Sequence, residues 1–207
     1  MKSKIKIYPS DTGYNLAASH YDDKEKYLNS FEQGKALVLL GDIKGKQILD
    51  VGAGTSRLTA GLIKQGGLVT ALDVSESMLE MLKKKIKNND SLHLKTVVAD
   101  AESLPFPNET FDLVTAAFLI VHLKDPRRFF DEAYRVLKPG GALLVTNINQ
   151  KDPPEVKIKE GIIKIESYYH RPEKIKEILA ELAFAIKKEV MIIEKGVWVN
   201  QIIVGEK

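Results

Sequence analysis

The chain has 207 residues and a formal net charge of +3, with 44% hydrophobic and 29% charged residues. That balance predicts one soluble domain with a full core, and it falls short of the concentrated positive field of a dedicated nucleic-acid binder. Cysteine is absent, which excludes disulfides, thiolate metal ligands and a cysteine nucleophile. No apolar run approaches membrane-spanning length and the N-terminus lacks an apolar signal core, so a cytoplasmic protein is expected.

In chain order, residues 1–45 read as an N-terminal lid segment, with a polar lead-in at 10–21 and a helix or two within 24–43. From residue 46, short β-branched runs alternate with helical stretches. "KQILDV" (46–51) predicts a strand, and "SRLTAGLIKQ" (56–65) a helix stopped by Gly66-Gly67. "LVTALDV" (68–74) is a second strand. "SESMLEMLKKKIKN" (75–88) places Met78, Leu79, Leu82 and Ile86 on one helical face, with Ser75 or Ser77 as N-cap. "LHLKTVVAD" (92–100) and "FDLVTAAFLI" (111–120) are further strands, "PRRFFDEAYRVLK" (126–138) is a helix, and "ALLVTNI" (142–148) follows the Pro139-Gly140-Gly141 breaker. "PEKIKEILAELAF" (172–184) is helical, and two alternating runs across Lys195-Gly196 form a terminal hairpin with one antiparallel strand. Strand–helix alternation with continuously apolar strands predicts an α/β fold: a doubly wound, Rossmann-like, seven-stranded and mostly parallel sheet with an antiparallel C-terminal strand, in one domain whose sheet core spans 46–207.

In such a sheet, ligands bind beyond the carboxyl ends of the strands. "ILDVGAGTSRL" (48–58) runs from a strand through Gly52 and Gly54 into a helix, as a dinucleotide-binding turn does, but Arg57 stands where the third glycine of that fingerprint belongs. A tight turn without a ligand is the alternative for two glycines alone. Asp50, Asp73 and Asp100 close three successive strands, and Asp73 is placed to accept both hydroxyls of a ribose. Three carboxylates repel a pyrophosphate and suit a sulfonium with an α-ammonium, which favours S-adenosylmethionine over NAD.

These stretches resemble class I S-adenosylmethionine-dependent methyltransferases, and more narrowly the quinone-biosynthesis and biotin-synthesis type. The resemblance rests on "ILDVGAGTSRLTAGL" (48–62), "VTALDVSESMLEML" (69–82), "VVADAESLPFPNETFDLVTAAFLIVHLKDP" (97–126) and "EAYRVLKPGGALLVTN" (132–147). It implies that Asp50, Gly52, Ala53 and Gly54 hold the methionine part of the cofactor and Asp73 the ribose. Val74 and Met78 would cover the adenine, with Asp100, Ala101 and Glu102 reading its edge. Ala117 and Phe118 would wall the methyl donor, and Tyr21, with Tyr14 as a second candidate, would cover the cofactor from "ASHYDD" (18–23). Ser56 replaces a glycine common in the family. The "Asn-Pro-Pro-Tyr" element of many amine methyltransferases is missing at 117, which disfavours nucleobase and glutamine N-methylation. Residues 149–170 are short for a substrate cap, which argues against a deep acceptor pocket.

His122 is the titratable residue nearest the expected chemistry, as a base or as a packing or capping residue; His170, with Tyr168 and Tyr169, lines a substrate mouth or packs a hairpin. Four scattered histidines (20, 93, 122, 170) give no metal site. The expected product is S-adenosylhomocysteine and the expected partner a small-molecule or carrier-bound acceptor with an oxygen, carbon or nitrogen nucleophile. The alternatives are an RNA or protein substrate, or cofactor binding without catalysis; "KKKIK" (83–87) and Arg127-Arg128 read as solvated helix faces rather than a nucleic-acid track.

Overall fold

A computed structural model describes residues 5–24, 30–32 and 34–207. Strands β2 (Gln47–Val51), β3 (Leu68–Asp73), β4 (Leu94–Val98), β5 (Phe111–Ala116) and β6 (Leu137–Ile148) pair in parallel, in the spatial order β4-β3-β2-β5-β6. β10 (Val197–Glu206) adds antiparallel to β6, and β9 (Ala185–Glu194) adds outside β10. The last strand of the chain is thus threaded inside the sheet. Burial explains the choice: Ile202, Ile203 and Val204 of β10 are buried, while β9 exposes Lys187 and Lys188, and charged residues blunt an edge strand.

Alternate strand residues feed two cores, as the two-residue period of a strand requires. Leu49, Val51, Leu72, Val114 and Val145 pack with Phe129, Phe130 and Ala133 of α5 (Arg127–Val136) and with Ile175, Ile178 and Leu179 of α6 (Pro172–Glu181). On the other face, Ile48, Val69, Ala71, Leu113 and Leu144 pack with α2 (Lys35–Leu39), α3 (Thr59–Lys64) and α4 (Glu76–Lys85). The doubly wound, seven-stranded reading holds.

Several boundaries differ from the sequence reading. The 10–21 lead-in is α1 (Ser10–Ala17) followed by a 3-10 turn over Ala18–Lys24. Its glycine and short polar residues hide a helix that tertiary contact supports: a Cβ on Gly13 would lie 2.2 Å from Ile165 Cδ1. Within the helices expected at 24–43, residues 25–29 and 33 lie outside the described residues, and α2 is the helix seen. The breaker at 139–141 lies inside β6, which starts at Leu137 directly after α5 ends at Val136. Gly141 is needed there, since a Cβ would stand 2.8 Å from the Lys138 carbonyl oxygen. Residues 149–170 are not too short to build a cap. β7 (Glu155–Ile158) and β8 (Gly161–Ile165) form a hairpin, and β1 (Ile7–Tyr8) joins β8 in parallel, making a three-stranded cap from the N-terminal segment and this internal hairpin.

Arg135 on α5 shapes the long β4–β5 connection. It donates to the carbonyls of Phe106 (2.7 Å) and Leu104 (2.9 Å), while Glu132 pairs with it and accepts from the Leu104 N–H at 2.7 Å. Asp50 ties three elements together at the end of β2: one carboxylate oxygen accepts from Thr59 Oγ1 at 2.6 Å and the other from Thr115 Oγ1 at 2.7 Å, all three residues being buried. Burial raises the Asp50 carboxyl to about 6 against the two hydroxyl donors that favour its charge.

Two outcomes follow. A carboxyl raised in the folded state stabilises below its unfolded value, and that contribution is lost as pH rises through the folded value. Relative to Asp50→Asn, which lacks this titration, wild-type stability therefore falls by about 2–3 kcal/mol between roughly pH 4 and pH 6.5 and then runs parallel. Urea denaturation across that range reads it; curves parallel throughout would contradict it. Ser56 adopts φ +100°, a conformation costly for any residue with a Cβ. Ser56→Gly should raise unfolding free energy by about 1 kcal/mol, and a loss of stability would show that the side chain matters more than the strain.

Candidate functional site

A cavity of about 360 Å³ opens beyond the carboxyl ends of β2 to β5. The turn after β2 forms its floor. Gly52 (φ +69°) and Ala53 direct their N–H groups to the Leu72 carbonyl at 2.8 and 3.0 Å, and Gly54 (φ +55°) donates its N–H to Asp73 Oδ2 at 2.8 Å. Asp73 Oδ1 accepts from the Ser75 N–H at 2.9 Å. Ser75, not Asp73, caps α4, its Oγ accepting the Met78 N–H at 3.2 Å. Asp73 thus accepts the backbone amides of Gly54, Ser75 and Val74, and its remaining lone-pair capacity faces the cavity that it lines. Desolvation raises the Asp73 carboxyl while these amide donors hold it down.

Of the residues expected at the cofactor, Tyr21, Gly52, Gly54, Asp73, Val74, Met78, Asp100, Ala101, Glu102, Ala117 and Phe118 all line this cavity. Asp50 and Ala53 do not. They line an annex of about 30 Å³ behind the glycine turn, which Tyr21, Thr55 and Arg57 also border. Asp50 sits too deep because both its oxygens are committed to threonine hydroxyls. Asp11, which the sequence reading passed over, takes a place on the cavity wall instead. Among the described residues, four carboxylates (Asp11, Asp73, Asp100, Glu102) therefore line the cavity and no lysine or arginine does.

Arg57 turns away from the cavity. Its guanidinium donates to Glu32 Oε2 at 2.6 Å and lies 4.4 Å from the centre of the Phe118 ring. With the Gly54 amide taken by Asp73 and the helix beginning only at Thr59, the turn offers no cluster of donors for a pyrophosphate. Phe118 itself is held at φ +61° directly after β5, with its N–H donating to Thr146 Oγ1 at 2.9 Å.

The N-terminal segment forms the roof. Asn15 Oδ1 accepts from Ser75 Oγ (2.7 Å) and the Ser77 N–H (3.1 Å), and Asp22 Oδ1 accepts from Thr55 Oγ1 (2.6 Å) and Lys85 Nζ (2.7 Å). The third fastening is the Tyr14 hydroxyl, 2.7 Å from His122 Nε2. His122 Nδ1 lies 2.8 Å from the Glu166 carbonyl oxygen, which only accepts, so Nδ1 carries the ring proton and Nε2 accepts from Tyr14. Desolvation lowers the His122 pKa below 6.5 and raises that of Tyr14, so both are neutral at neutral pH. His122 thus packs between the N-terminal segment and the cap while lining both cavities. The sequence offered no signal joining residues 108 positions apart.

His170 does not reach a cavity. Its Nε2 bridges the carbonyls of Ile120 (3.0 Å) and Leu123 (2.9 Å), and Tyr169 packs near Trp198. These residues support the 120–123 turn that presents His122.

A second cavity, about 410 Å³, lies under the cap hairpin. It shares Tyr14, Tyr21, Phe118 and His122 with the first, so the two spaces meet at the Tyr14–His122 pair. Among the described residues no group of three or more histidines and carboxylates could hold a metal ion, and no helix is long and apolar enough to cross a membrane.

Residues 49–145 match the family described as methyltransferase domain. The chain is 38% identical over 119 residues to a demethylmenaquinone methyltransferase from Clavibacter sepedonicus, covering 58% of this chain and 47% of that protein. It is 40% identical over 111 residues to the ubiquinone/menaquinone biosynthesis C-methyltransferase UbiE from Escherichia coli O1:K1 / APEC, covering 52% of this chain and 44% of that protein. The matched segment thus spans less than half the length of these curated relatives. In fold, the chain is similar to an S-adenosylmethionine-dependent methyltransferase from Mesorhizobium loti, with a TM-score of 0.72 at 17% identity over 87% of this chain and 100% of that one. Residues 49–145 thus match a methyltransferase-domain model, and the seven-stranded sheet shares the fold of that solved methyltransferase.

Proposed function

We propose that the protein moves a methyl group from S-adenosylmethionine to a nucleophile of a small molecule. The observation that carries this reading is the pair of cavities meeting at one wall: a carboxylate-lined space at the strand ends, and a second space of similar size under the cap. Both volumes fall within the usual range for small-ligand pockets. The first suits a cationic nucleoside, because it surrounds a ligand with carboxylates and offers no cation to a phosphate.

Bound there, S-adenosylmethionine supplies an activated methyl group with a neutral leaving group. In this reading Asp73 accepts the ribose hydroxyls on its spare lone pairs, and Val74 and Met78 cover the adenine. Asp100, Ala101 and Glu102 border the adenine edge, and the annex by Gly52 and Gly54 takes the amino-acid end. Tyr14, Tyr21 and Phe118 separate the cavities and exclude water from the line between donor and acceptor. His122 Nε2 takes the proton that the acceptor gives up, relayed through the Tyr14 hydroxyl. The relatives' quinone substrates fit this scheme as one class of acceptor. Nothing lining either cavity forms a positive track for RNA, which leaves the small-molecule reading ahead.

Calorimetric titration should show S-adenosylmethionine binding more tightly than NADH, and Asp73→Ala should weaken it by roughly 10–100-fold, the loss of charged hydrogen bonds. Equal affinity in the variant would remove Asp73 from the ribose. The reaction itself is read by S-adenosylhomocysteine release. Because the imidazole acts only when neutral and burial lowers its pKa, turnover should hold through neutral pH and fall on an acid limb centred below 6.5. His122→Asn should lower kcat by about 100-fold and abolish that limb; an unchanged limb would assign it to another group.

A further inference from the structure

We propose that the methyl acceptor is a small cationic amine; this rests on the methyltransferase reading and names its substrate class. The second cavity is walled by the rings of Tyr14, Tyr21, Phe31 and Phe118, whose π faces attract a cation. Three carboxylates border it, those of Asp23, Asp152 and Glu155, against the cationic side chain of Lys157 and the titratable His20. Lys157 Nζ and His20 Nδ1 lean on Asp23 Oδ2 at 3.9 and 3.6 Å and Lys164 Nζ on Glu155 Oε1 at 3.7 Å, so Asp152 is the rim carboxylate without an ion pair among the described residues. Inside, Asn149 lines the cavity, and its buried Oδ1 accepts no hydrogen bond from the described residues while its Nδ2 donates to the Trp198 carbonyl at 2.7 Å.

These features together select charge. An anionic acceptor meets the rim carboxylates, whereas an ammonium suits both the rings and the rim.

The proton pair completes the chemistry. An ammonium has no lone pair, so one proton must leave before attack. The amine N–H gives its proton to the Tyr14 oxygen as the Tyr14 proton passes to His122 Nε2, which ends as an imidazolium with Nδ1–H still on the Glu166 carbonyl. The nitrogen lone pair then forms the N–C bond to the methyl carbon while the C–S electron pair returns to sulfur. The methylated ammonium and S-adenosylhomocysteine leave, and His122 returns its proton to solvent.

The test uses the full chain saturated with S-adenosylhomocysteine, titrated calorimetrically with benzylamine, benzyl alcohol and benzoate, three probes of one shape. Benzylamine should bind at least tenfold more tightly than either of the others. Asp152→Asn, a change at the exposed rim, should weaken benzylamine severalfold and leave S-adenosylhomocysteine affinity unchanged. With S-adenosylmethionine in its place, mass spectrometry should find N-methyl product from at least one of benzylamine, phenethylamine and ethanolamine. The proposal is overturned if the alcohol or carboxylate binds as well as the amine, if no amine binds, or if none of the three is methylated. Failure of S-adenosylhomocysteine itself to bind is a different result: it overturns the methyltransferase reading and takes this proposal with it.

Discussion

Asp73 is the fastening on which the site depends. A parallel sheet leaves a crevice at its carboxyl edge, and the loops there need something to set their distance. One carboxylate does so by accepting the Gly54 and Ser75 amides, locking the turn after β2 to the entry of α4. The left-handed backbone at Gly52 and Gly54 makes that approach feasible, since a Cβ at either would be strained. The floor of the cavity, the carboxylate at its wall and the wall beyond it are consequences of this one arrangement.

The roof obeys a different logic. It joins the N-terminal segment to the 155–165 hairpin, β1 pairing with β8 and α1 packing its Gly13 against Ile165, so the cover over the first cavity is continuous with the cap over the second. Three polar fastenings hold this cover to the core, through Asn15, Asp22 and Tyr14. The same segment therefore bounds both cavities.

Electrostatics divides the labour between carboxylates that look alike in the sequence. Asp50 spends both oxygens on buried threonines and serves the fold, whereas Asp73 keeps spare lone pairs at a cavity wall. Arg57, conspicuous where a dinucleotide site wants glycine, is absorbed in a pair with Glu32 over the Phe118 ring. Its role is to brace the wall, which leaves the cavity free of positive charge.

Much of the architecture was legible in the residues themselves. Apolar runs punctuated by Gly66-Gly67 and Lys195-Gly196 point to strands, helices and the final hairpin, because backbone geometry and burial act locally. The glycine turn and Asp73 were readable for the same reason, each lying at the end of a recognisable strand. What only tertiary structure decided involves partners far apart in the chain: Tyr14 with His122, β1 with β8, Asp50 with Thr115, and α1 as a helix at all. No local pattern encodes these, since a polar, glycine-containing segment has weak propensity of its own and takes its shape from the surface that it covers. The sequence determined where the cofactor crevice lies, and long-range packing decided what roofs it and where a proton can go.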